Sequence, residues 1–210
     1  MEILFEAAAL RMVLVFGHLL ALLIATAGVC FADYSLFAGR RIDAGLLGTA
    51  SRLVVVALSV LWLTGLSIVW IDTGFDPALL VSKSKLLAKV TVALALTLNG
   101  VALHRLAFPR LVTPQRNAQR ASLLPTLLGA VSTTSWLFAM FVAASHSMAA
   151  VLSYRDYLTL YALALTAGAT VAMVWVRPRL VEQMRQGVSV ARDPVRHEPH
   201  PLAVHSIQPN

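Results

Sequence analysis

Two histidines and a run of lysines are the residues of this chain best placed to do chemistry. His18 and His146 lie inside long apolar runs, and Lys83, Lys85 and Lys89 open another. An imidazole carried on a membrane helix can be an axial ligand of a b-type haem, and it can equally bind copper. Met148 would add a thioether suited to Cu(I). Two residues on a helix are about 200° apart, however, so Met148 joins His146 in one ligand shell only on a distorted helix. The plainer role for such a histidine is an interhelical hydrogen bond worth about 1 kcal/mol.

A lysine within an apolar span costs about 3 kcal/mol or more unless it snorkels or faces a polar interior. Lys85, Lys89, Val92 and Asn99 share one helical face, so this helix carries a polar stripe that needs partners. Lys85 by itself reads as a snorkelling residue, Lys89 is a turn deeper, and Asn99 reads as a bridge between helices. His104, beside Arg105, reads as an interface residue. His197, His200 and His205 could chelate a transition metal, although their proline-rich segment preorganises nothing. Cys30 stands alone in an apolar run, so it makes no disulfide within the chain and reads as a packing residue. There is no Gly-rich phosphate loop, CxxC or CxxCH, and no readable Ser–His–Asp or paired-carboxylate arrangement.

The elements that position these residues follow from composition. Of 210 residues, 58% are hydrophobic and only 13% charged, and the mean hydropathy is +0.75. This is the pattern of an all-α polytopic membrane protein. The net charge of +7 does not indicate nucleic-acid binding, because the basic residues cluster at span ends, where membrane topology accounts for them. The opening MEILFE is acidic where a signal peptide is basic, so the first span is expected to be retained.

Five spans are expected, over residues 7–32, 51–71, 84–108, 123–152 and 157–176. The fourth exceeds the roughly 20 residues a bilayer requires, which predicts tilt or a kinked start near Pro125. Arg155 and Asp156 read as the tight turn before the fifth. Residues 1–180 form one transmembrane domain, and 181–210 a cytoplasmic, largely disordered tail with a few further helical turns to about residue 186. No internal repeat is read. Arginines concentrate on the side of the first and third loops and the tail. The positive-inside rule makes that side cytoplasmic and the N-terminus periplasmic. His18 and His146 then each lie about 9 Å below the outer boundary, at a level Lys85 and Lys89 also approach.

Ser51–Arg52, Thr64–Gly65, Lys85, Asn99 and the stretch from Arg105 to Pro109 resemble the membrane domain of copper-resistance protein D (CopD), over about residues 51–144. That resemblance implies copper handling. The first span with His18, together with the lysine of the third, is similar to HemJ-type protoporphyrinogen oxidases. That similarity implies that His18 and Lys85 are a haem-linked pair.

The expectation is therefore a five-helix bundle in a bacterial inner membrane. It binds haem b or copper in its periplasmic half through His18 and His146, with Lys85 nearby, for metal handling or electron transfer. The alternatives are an accessory subunit of a larger membrane complex, with no cofactor, and a HemJ-type porphyrin oxidase. The expected partners are the lipid bilayer and other membrane subunits or a second copy, and not nucleic acid.

Overall fold

The computed structural model describes residues 2–37, 44–113, 117–145 and 151–192. Among these, all regular structure is helical, and five helical stretches are long and apolar enough to cross a membrane. Helix α1 is Glu2–Phe37 and α2 is Ala44–Thr73. A short α3, Pro77–Ser82, leads into α4, Ser84–Ala102. After α4 come a π-helical turn, Leu103–Ala107, and then α5, Phe108–Val112. The short α6, Ala118–Ala121, precedes α7, Leu123–Ala144. Helix α8, Tyr154–Val171, passes through a second π turn, Ala172–Val176, into α9, Arg177–Arg192.

The first three expected spans correspond to helices, each extended by several residues. The fourth ends earlier than expected: α7 stops at Ala144, and Ser145 caps it by donating to Val142 O at 3.0 Å. Pro125 is the third residue of α7. It is buried in the first turn, where a missing N–H costs no helical bond. The discontinuity falls just before, at Ser122, between α6 and α7. Arg155 and Asp156 do not form the turn either. Asp156 completes a capping box with Ser153, accepting from Ser153 N at 2.8 Å, so both residues already belong to α8. The expected helical turns past the fifth span continue to Arg192.

Helices α1 and α2 form an antiparallel hairpin, while α4, α7 and α8 form a three-helix bundle beside it. Small residues set the closest approaches. A Cβ on Gly28 would lie 2.9 Å from Val54 Cγ2, and one on Gly168 would overlap the Thr134 hydroxyl. Their outward faces are apolar: Leu98 is 71% exposed and Phe16 69%. Such surface suits a hydrocarbon medium. Cys30 belongs to this outer surface rather than to the packing, since its side chain is exposed.

One polar device occurs twice, although no repeat is evident at the level of whole helices. Pro109-Arg110-Leu111-Val112 and Pro178-Arg179-Leu180-Val181 are the same tetrapeptide. Each begins at the second residue after a five-residue π turn. A proline inside a helix lacks an N–H and crowds the carbonyl four residues back, and a widened turn accommodates it without ending the helix. Both π turns pack against α7.

The Gly168 contact gives a direct test. Gly168→Leu should force α7 and α8 apart at Thr134 and cost about 1–3 kcal/mol, as overpacking does. In detergent this should appear as a clearly lowered melting temperature. Gly17→Ala, where a Cβ meets nothing within 4 Å, should leave the melting temperature unchanged.

Candidate functional site

The hairpin and the bundle are tied along only part of their seam. At one end, Ser51 Oγ and His104 Nε2 share a hydrogen bond at 2.7 Å, and Thr133 donates to Asp33 Oδ2 at 3.0 Å. Further along, Trp62 Nε1 donates to Thr97 Oγ1 at 3.0 Å, and Thr26 Oγ1 meets Met140 Sδ at 3.6 Å. Beyond these ties the two parts separate around a cleft of about 1100 Å³. Its walls are apolar residues of α1, α2, α4 and α7, including Leu22, Leu61 and Trp136, and its mouth carries Arg11, Asp72, Lys83 and Lys85.

His18 lines this cleft, half-buried, in a notch made by Thr64 and Gly65. Its Nδ1 lies 2.8 Å from Thr64 Oγ1, and that hydroxyl is also 2.7 Å from Val60 O. A threonine hydroxyl has one proton. Donated to the Val60 carbonyl, it leaves the oxygen to accept from Nδ1–H. The neutral ring then carries its lone pair on Nε2, the atom able to bind a metal or accept a proton; the ring also meets the Leu61 carbonyl, one turn before Thr64 on α2. Gly65 makes room for the ring, because a Cβ there would stand 3.3 Å from His18 Cε1.

Lys85 and Lys89 line the same cleft as His18, so two of the expected nitrogen-bearing helices do converge. Lys89 is exposed to the open cleft rather than enclosed. Lys83, at the start of α4, makes no side-chain cap and lines the mouth, so the positive dipole end of that helix lies beside it. His146 and Met148 lie outside the described residues, as do His197, His200 and His205. Ala143 and Val151, on either side of that undescribed stretch, line the cleft. His104 takes no part; it sits at the opposite end of the seam, on Ser51. Asn99 is buried and donates to Leu128 O at 3.0 Å, bridging α4 to α7.

Several residues at or beside the site were not singled out by sequence reasoning. Arg11 holds Asp72 through two bonds, Nε to Oδ1 at 2.7 Å and Nη2 to Oδ2 at 3.1 Å. A signal for this existed. Arg11 and Asp72 are equally far in sequence from one point in the loop between α1 and α2, and so are His18 and Gly65. An antiparallel hairpin must therefore set both pairs level. Tyr154, Tyr157 and Tyr161 form a second missed set, on one face of α8. Tyr154 bonds Thr91 at 2.9 Å, Tyr157 bonds Ser145 at 3.4 Å and Tyr161 bonds Ser135 at 2.6 Å. These bonds fasten α8 to α4 and α7 behind the cleft.

Comparison with protein-family models, with curated proteins and with solved structures finds no match. The class of protein defined by the fold is accordingly an all-helical, multi-pass membrane protein with a cationic cleft between a hairpin and a three-helix bundle.

The tautomer assignment is measurable. With ¹⁵N-labelled histidine, the His18 resonances should report a neutral ring protonated at Nδ1. Thr64→Val should abolish that preference, whereas Thr64→Ser should retain it. A wild-type ring protonated at Nε2 would overturn the assignment.

Proposed function

We propose that this chain is a bacterial inner-membrane protein that holds a b-type haem in the cleft, with His18 as an axial ligand, for electron transfer or metal handling. The supporting observation is the fixed imidazole: a ring oriented by Thr64 and Gly65, with its lone pair on Nε2, inside a mostly apolar cleft. Lysines, whose ammonium groups suit carboxylates, stand at the mouth, where the propionates of a haem would lie. His146, expected as the second ligand, remains so under this reading.

Bare copper fits less well. Among the described residues, no group of three or more His, Cys, Asp or Glu side chains gathers to hold a metal ion. A copper site needs several donors from the protein, whereas a tetrapyrrole supplies its own equatorial nitrogens and asks only for axial ligands. When bound, haem iron would supply one-electron chemistry. The chain's contributions are a ligand of fixed orientation, apolar walls that exclude water, and cations for the carboxylates. Of the residues that carry the resemblance to CopD and HemJ-type proteins, His18, Gly65 and Lys85 line this cleft, whereas Asn99 bridges to α7 and Ser51 lies at the other end of the seam.

The test is an absorbance spectrum of the purified protein, with copper measured in parallel. A Soret band is expected, lost in His18→Ala and in His146→Ala, with substoichiometric copper. A colourless protein that takes up about one copper would favour metal handling without haem. One that is colourless, metal-free and co-purifies with stoichiometric partners would favour an accessory subunit.

A further inference from the structure

The charges at the mouth are unbalanced. Arg11, Lys83, Lys85 and Lys89 line the cleft, and Asp72 is the sole carboxylate among the described residues that do so. That carboxylate is occupied by Arg11 in a two-point contact, with the Arg11 side chain 50% exposed and that of Asp72 28%. An ion pair so accessible to solvent is weakly held. Asp72 is also one residue from the end of α2, where the negative end of the helix dipole disfavours an anion. Arg11 thus grips a carboxylate in a poor position; Lys83 has only the attraction of that same Asp72, and Lys85 and Lys89 find no carboxylate among the described residues along the cleft.

We infer that the cleft selects an amphipath bearing two anionic groups, one received by Lys83 and Lys85 and the other taking the place of the Asp72 carboxylate on Arg11. The inference rests on the cleft being a ligand site, as proposed above, and adds the charge of the ligand and the part played by Asp72. Asp72 acts as a resident surrogate anion. It keeps Arg11 neutralised while the cleft is empty and sets a threshold that a singly charged or neutral amphipath does not overcome. A planar guanidinium suits the exchange, since its fork receives an incoming carboxylate with the same two-point geometry.

The alternative is that Arg11–Asp72 merely clasps the hairpin, and the two roles predict opposite effects of neutralising Asp72. The full-length protein in detergent is titrated with metal-free protoporphyrin and with its dimethyl ester, followed by quenching of Trp62 and Trp136, and with hemin, followed by its Soret band. Metal-free protoporphyrin needs no axial ligand, so its binding reports charge selection apart from haem ligation. Wild type should bind the diacid about tenfold or more tightly than the diester. Asp72→Asn should tighten the diacid by about three- to tenfold and leave the diester unchanged, and Arg11→Gln should weaken only the diacid, by a similar factor. Asp72→Ser gives the same reading should the asparagine variant fail to fold.

Equal binding of diacid and diester, or weaker diacid binding in Asp72→Asn, overturns the inference, even where hemin gives a Soret band. Charge selection in a wild-type protein that gives no Soret band with hemin, unchanged in His18→Ala, upholds it while removing the haem reading. Failure to bind either porphyrin removes both.

Discussion

Everything here depends on one constraint: in a medium that offers no hydrogen bonds, each polar side chain must find its partner within the protein. Along one part of the seam between hairpin and bundle that demand is met. Ser51 has His104, Asp33 has Thr133, and Trp62 has Thr97. Along the rest, the hairpin satisfies its own charges, Arg11 with Asp72, and the lysines at the start of α4 face the gap without a hydrogen-bonded partner across it among the described residues. The seam therefore closes where donors meet acceptors and opens where the two parts leave no such pairs.

His18 sits at the transition between the closed and the open parts. Its ring is level with Thr64 and Gly65 because the hairpin register requires it, and the threonine hydroxyl, committed to Val60, fixes which nitrogen carries the proton. His18 spends one nitrogen on its own hairpin partner and none on α4 or α7. His104 is the useful contrast. Its hydrogen bond joins α2 to the π turn after α4, and its ring packs edge-on against Phe108 at 5.0 Å. The same residue type is a fastener at one end of the seam and a candidate ligand at the other.

The rigid side of the site is built differently. The bundle owes its cohesion to three tyrosines of α8 and to close approach at Gly168, while the two widened turns let α4 and α8 pass their prolines without breaking. Their position at the end of α7 remote from the cleft keeps this irregular backbone away from the ligand walls. Trp136 and Val92, which form part of those walls, are nearly solvent-free and belong to the continuous core. The bundle can thus act as a fixed wall against which the hairpin presents His18.

The sequence by itself determined the all-helical class and the number of membrane-length helices. Length and apolar content are local properties, and hydrocarbon admits helices with few exceptions. It also marked His18, Lys85, Lys89 and Asn99, because a polar residue in an apolar run stands out without any knowledge of its neighbours. The end of α7 at Ala144 and the capping box at Ser153 were misread, since apolar residues continue past the first and Asp156 looks like turn chemistry until Ser153 is seen to bond it. Only the tertiary structure decided that Asn99 bridges to α7 while Lys89 opens into a cleft, that His104 ties hairpin to bundle while His18 bonds only within the hairpin, and that Arg11 meets Asp72. Those outcomes turn on which helices neighbour one another and at what register, and apolar faces, which pack interchangeably, do not encode that choice in any one segment.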